Sequence, residues 1–209
     1  MDLQKFIKER PFLYHLTSER NAINIIKERT IYSANALIDM TGDQSLERIK
    51  RSRRIIHQEI RIGDNLFSLR DQKPISEKAL GKCLTDNWSV GDFLYHLNDR
   101  VFMWPTLDRL WRHFNRYEQE NPIIFRFSTH ELLDANPHVK FCRLNSGATR
   151  ANSYLGGKPP ERGSNSFMPA LLFEFAVREV AEVTFENKCV IDGPFWKSSR
   201  PDEIFVQVS

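Results

Sequence analysis

Two short stretches hold the side chains best suited to chemistry. One is Tyr14-His15-Leu16-Thr17 with Asn21 four residues on, and the other is Glu182 in the run Ala181-Glu182-Val183. If the first stretch is extended, His15 and Thr17 share a face, and an imidazole beside a hydroxyl can grip a ribose or an amide. The plainer alternative is a hydrogen-bonded core histidine followed by a helix-capping threonine. Glu182 alternates with Ala181 and Val183, which puts it on the polar face of a strand, where a glutamate is ordinarily solvated. A third feature is the basic run over 45–58, with Arg48, Lys50, Arg51, Arg53 and Arg54, which suits a nucleic-acid backbone or simply a solvated helix face.

Familiar signatures of common enzyme classes do not occur. There is no glycine-rich phosphate loop, no His-Glu-x-x-His, no Gly-x-Ser-x-Gly and no paired cysteines for zinc. Cys83, Cys142 and Cys189 are an odd set lying in apolar surroundings, which predicts buried free thiols, and no metal site is expected. The length of 209 residues, 41% hydrophobic content and 11% aromatic content predict one folded domain over 1–209. A net charge of +3 permits a polyanionic partner without requiring one. No apolar run approaches the roughly 20 residues of a membrane helix, and residues 1–10 are charged rather than signal-like, so a cytoplasmic protein with no membrane partner is expected.

The elements that must position these residues follow from periodicity. A strand over 12–16 precedes a helix over 19–27, with Thr17 and Ser18 supplying hydroxyls for its start. Residues 45–58 read as an exposed helix or arm, 61–69 as a strand, and 76–84 and 89–97 as helices. A strand over 100–104 stops at Pro105, and Thr106 caps a helix to about 117 whose stripe Leu107, Leu110, Trp111 and Phe114 reads as core. Strands are expected over 123–127, 139–144, 179–185 and 203–208, while turn formers fill 145–165. That long loop, with Arg150, Tyr154, Arg162 and Asn165, is where binding or disorder is expected, its cations and aromatic ring suiting an unstacked base. Without a regular βαβ rhythm the class is α+β.

The pattern Tyr-His-Leu-Thr-x-x-x-Asn at 14–21 resembles the opening NAD-binding motif of the DarT family, toxin ADP-ribosyltransferases that modify thymidine in DNA. The order of later features is similar: an arginine-rich segment at 48–54, a strand and proline at 101–105, a strand-to-turn at 141–148 and Ala-Glu-Val at 181–183. Arg70-Asp71-Gln72-x-Pro74, Leu97-Asn98-x-Arg100-Val101-Phe102 and Asn145-x-Gly147-Ala148-Thr149 more closely resemble an uncharacterised bacterial relative of DarT. The segment 104–108 and the insertion over 70–97 depart from the DarT pattern.

The resemblance implies an ADP-ribosyltransferase-like fold, a split pair of small antiparallel or mixed sheets enclosing an NAD cleft with flanking helices. It implies an NAD-dependent mono-ADP-ribosyltransferase of toxin or phage-defence type, with a DNA or RNA acceptor and an antitoxin partner. Glu182 and His15 are then catalytic, with Glu179 as the fallback carboxylate. His15, Thr17 and Asn21 hold the nicotinamide ribose and its surroundings, and Arg54 or Arg53 takes the pyrophosphate as a bidentate fork. Arg51, Arg70, Asn98, Arg150 and Arg162 are the expected acceptor contacts. ADP-ribosylation of protein, NAD hydrolysis and a catalytically silent nucleotide-binding module are the rival readings on the same fold.

Overall fold

Hydroxyl-capped helices and short strands alternate irregularly along the chain. A computed structural model describes residues 1–151 and 153–208, apart from the side chain of Tyr154; the contribution expected of that ring lies outside the described residues. The first half runs α1 (Leu3–Glu9), β1 (Phe12–Thr17), α2 (Glu19–Glu28), β2 (Thr30–Tyr32), α3 (Ala34–Thr41), α4 (Glu47–Lys50), β3 (Gln58–Ile62), β4 (Asn65–Leu69), α5 (Glu77–Leu80) and α6 (Val90–Asn98). The second half runs β5 (Arg100–Met103), α7 (Leu107–Tyr117), β6 (Ile123–Ser128), α8 (Thr129–Ala135), β7 (Lys140–Cys142), β8 (Glu182–Glu186), β9 (Lys188–Val190), β10 (Phe195–Ser198) and β11 (Val206–Gln207). Ser18, Ser33, Ser89, Thr106 and Ser128 each accept a backbone N–H at a helix start, so these boundaries are written in single residues.

The class is α+β, with several small antiparallel sheets and no closed barrel. One sheet has the order β1-β6-β10-β11 and another β5-β8-β7, with the pair β2-β9 and the hairpin β3-β4 beside them. The main core joins the two larger sheets, burying Leu13, Phe125, Phe127 and Phe195 from one with Val101, Met103, Phe141 and Phe185 from the other. Past that core the sheets stay linked where Tyr14 and Trp104 exchange backbone hydrogen bonds. A smaller cluster packs Leu110, Phe114 and Tyr117 of α7 onto Tyr14 and Leu16 of β1.

Several expectations change. The single strand over 61–69 is the hairpin β3-β4, turning at Gly63, whose φ of 55° suits glycine. The last strand shrinks to β11, and α1, α3, β2, β9 and β10 arise where no strand or helix was expected. β2 and β9 are three residues each and exist by pairing with one another, a long-range event that leaves little local signal. The basic run is mostly exposed and contains the helix α4, as expected, but Lys50 and Arg54 within it are buried. The three cysteines are free and buried, as expected, and burial pushes the Cys142 thiol up to about 12, so it is inert at neutral pH. Among the described residues no helix is long and apolar enough to cross a membrane.

Candidate functional site

A cleft of about 830 Å³ opens where β1, β5 and β8 meet, closed on one side by α7 and on another by the loop after β7. Leu13, His15 and Thr17 share a face of β1, so one row of side chains passes from core to cleft. His15 Nδ1 donates to the Phe102 carbonyl at 2.9 Å. Burial, aided by nearby Arg70 and opposed by that hydrogen bond, lowers the His15 pKa to about 4. The ring is therefore neutral at pH 7 with its proton on Nδ1, which leaves Nε2 as an acceptor. Thr17 is buried on the same wall.

Glu182 enters the same cleft from β8, and it is 7% exposed rather than solvated. Alternation misreads it because β8 is the central strand of its sheet, and its first four residues are buried on both faces. Its carboxylate accepts the Ser146 backbone N–H at 2.9 Å. Burial raises its pKa, while Ser146, Arg162 and Arg109 pull it back down. The loop presenting Ser146 is stapled from behind: Arg162 donates to Asn145 O at 2.8 Å and to Ala148 O at 3.0 and 3.1 Å.

The other expected contacts divide. Arg54, Arg70 and Arg150 line the cleft, Arg150 being exposed. Arg54 is lowered to about 10 by burial and stays protonated at pH 7, but its Nε and Nη1 are spent on Arg70 O and Asn98 Oδ1. Arg70 is the opposite case. Its guanidinium lies 4.2 Å from the Tyr117 ring centroid, both Nη atoms are buried without a hydrogen-bond partner, and its ion pair, Nη2 to Glu120, is long at 3.9 Å. Arg53 is not on the cleft, since it turns to the carbonyls of Gln72 and Lys73. Arg51 pairs with Asp92 at 2.6 Å, and Lys50 with Asp39 and Glu47, so two of the five cations of the basic run are paired with carboxylates within the protein.

Three polar residues expected to touch ligand make hydrogen bonds within the protein, though Asn21 and Asn98 also line the cleft. Asn98 accepts from Arg54 and Gln72 and donates to Lys50 O, which uses both ends of its amide. Asn21 lies at the cleft wall, but its amide exchanges two hydrogen bonds with the Ser68 backbone at 2.8 and 2.9 Å, fixing β4. Arg162 is buried as the staple above and does not line the cleft. The fallback Glu179 is paired with Arg143 at 2.8 Å and does not line the main cleft.

The largest omission of the sequence reading is the second face of α7. Arg109, Arg112, His113 and Arg116 recur at spacings of three and four, and all line the cleft opposite the apolar stripe. That spacing was the available signal. No carboxylate pairs with Arg109, Arg112 or Arg116 among the described residues, and His113 stacks on Trp104 at 4.3 Å. Burial, together with Arg70, Arg116 and His15, lowers the His113 pKa to about 3. Among the described residues lining the cleft, seven are arginines and two, Asp71 and Glu182, are carboxylates, so the cavity favours an anionic ligand. No group of three or more His, Cys, Asp or Glu among the described residues is placed to hold a metal ion.

The chain belongs to a family of unknown function, DUF7002, whose model matches residues 11–193. No curated protein and no solved structure matches it.

Proposed function

We infer that this member of DUF7002 is an NAD-dependent mono-ADP-ribosyltransferase related to the DarT family, with a nucleic acid as acceptor. The supporting observation is that His15 and Glu182, distant in sequence, line one cleft together with Arg109, Arg112 and Arg116, which have no ion-pair partner among the described residues. Its volume of about 830 Å³ falls in the ~300–1,000 Å³ range of small-molecule and cofactor sites. Arg70, with its unsatisfied nitrogens, and Arg112 and Arg116 of α7 suit the pyrophosphate better than Arg54, whose fork is already engaged, or Arg53.

In this reading Nε2 of neutral His15 accepts a hydroxyl of the nicotinamide ribose, and Thr17 offers a further hydroxyl beside it. Glu182 holds the ribose on the side where positive charge grows as the bond from C1′ to the nicotinamide nitrogen breaks, so it favours the transition state. The bonding pair leaves with nicotinamide, the acceptor atom bonds to C1′, and the acceptor's proton passes to Glu182. A carboxylate whose pKa is raised by burial is a stronger base for that step than an exposed one. A toxin or phage-defence role with an antitoxin partner belongs to the same proposal.

The test is incubation with labelled NAD plus DNA, RNA and lysate protein. Wild type should release nicotinamide and label nucleic acid, and Glu182→Gln should lower release by at least ~10²-fold. Because the substitution removes a buried charge while keeping the shape, its melting temperature should not fall. Equal release by folded wild type and variant overturns the catalytic assignment, and label confined to protein overturns the acceptor.

A further inference from the structure

The arginine row on α7 is longer than a pyrophosphate needs. From Arg109 to Arg116 the helix advances about 10 Å, and two linked phosphates can occupy only part of that length. Arg109 stands at the Glu182 end of the row, where the two charges sense one another. It also lines a second depression of about 470 Å³ that shares Arg109, Asn145 and Ala148 with the main cleft and adds Arg143, Arg178 and Glu179. Glu179 is occupied, since it accepts from Arg143 and from the Ala176 backbone N–H. Arg178 is exposed, and neither it nor the Arg109 guanidinium has a hydrogen-bond or ion-pair partner among the described residues. Two uncommitted guanidinium groups thus flank the open side of the cleft beside the candidate base.

We propose that this depression is the acceptor's phosphate site, and that Arg109 and Arg178 grip a phosphodiester of a single-stranded nucleic acid next to the nucleotide presented to Glu182. The proposal rests on the transferase reading above for the role of Glu182. A strand is favoured over a phosphorylated peptide because cations spread along a continuous wall match successive phosphates rather than one. Single-strandedness follows from burial: with Glu182 only 7% exposed, a base reaches it by leaving its stack.

The site is tested by fluorescence anisotropy with labelled single-stranded oligodeoxynucleotides and oligoribonucleotides, without NAD. At about 0.1 M salt Arg178→Glu should weaken binding roughly tenfold and reduce the slope of log affinity against log salt by ~0.7–0.9. Arg61→Glu, the same charge change at an exposed position on β3 outside both cavities, should bind like wild type. The site assignment is overturned if Arg178→Glu binds as tightly as wild type, if Arg61→Glu weakens binding equally, or if wild type binds no oligonucleotide. Equal competition by a phosphopeptide of matched charge overturns the nucleic-acid class. The transferase reading fails separately, through absence of nicotinamide release by wild type, because the binding assay contains no NAD.

Discussion

Arg70 and Arg54 show at the level of single residues why a ligand-binding arginine differs from a structural one. Arg54 is deeper, but its donors are matched by protein acceptors, so it holds the cleft wall in place. Arg70 carries two buried nitrogens with no hydrogen-bond acceptor and only a long ion pair of 3.9 Å to Glu120, a shortfall that a bound anion would relieve. Arg70→Gln should therefore raise the KM for NAD by ~10- to 100-fold, the loss expected of a charged hydrogen bond worth ~1.5–3 kcal/mol. Its melting temperature should fall only slightly, because the unliganded fold loses a long, half-exposed ion pair to Glu120 and one contact with the Tyr117 ring. Arg51→Ala and Arg53→Ala, whose side chains are turned to Asp92 and to the carbonyls of Gln72 and Lys73, should leave that KM where it is. Steady-state nicotinamide release reads all three, and a KM for Arg70→Gln equal to wild type removes Arg70 from the pyrophosphate site.

Among the elements, the loop after β7 has the least regular structure and the most direct hold on chemistry. It includes 3-10 turns at Ser153–Leu155 and Ser164–Ser166, and Arg162 fastens its start by two carbonyls while Ser146 hands its N–H to Glu182. The site expected to grip an acceptor is instead the fastening of the carboxylate. Arg162→Ala should cost ~1–3 kcal/mol by stranding those carbonyls, and Arg162→Lys should not rescue it, since an ammonium lacks the fork. A purely structural lesion would lower activity at every pH alike. Here the Arg162 charge also lowers the Glu182 pKa, so removing it should move the acidic limb of the pH–rate profile upward, and an unmoved limb refutes the link. The helix α7 teaches the complementary lesson. Its apolar stripe was legible, and the cations at three-and-four spacing on its other face were equally visible as letters, but no periodicity says whether such a face meets solvent or a cavity.

For the whole molecule, pH sets stability through three largely shielded histidines, of which His15 and His113 line the cleft and His96 lies among Trp88, Phe93 and Phe167. His15, His96 and His113 are held neutral mainly by burial, with pKa values lowered to about 4, about 4 and about 3. A histidine depressed on folding binds fewer protons in the native than in the unfolded state, so stability rises with pH through the window. The contribution is fully present above the ordinary value near 6.5 and is lost as pH falls toward 4. Near pH 5 unfolding should take up about three protons from these groups, seen as a falling melting temperature between pH 7 and pH 5. A flat profile across that interval would show that these rings are already charged in the native state.

The sequence by itself determined the strands β1, β5 and β6, the helices α2 and α7 with their hydroxyl caps, the α+β class and the shared side of His15 and Thr17 on β1, because each is set by side-chain period and capping over a few neighbours. It did not determine that Glu182 is buried, that Asn21, Asn98 and Arg162 are engaged within the protein, or that the cationic face of α7 borders the cleft. Those outcomes depend on which groups meet across the fold. A buried donor or carboxylate is defined by the partner it finds or lacks, and a chain read in one dimension carries no record of that partner.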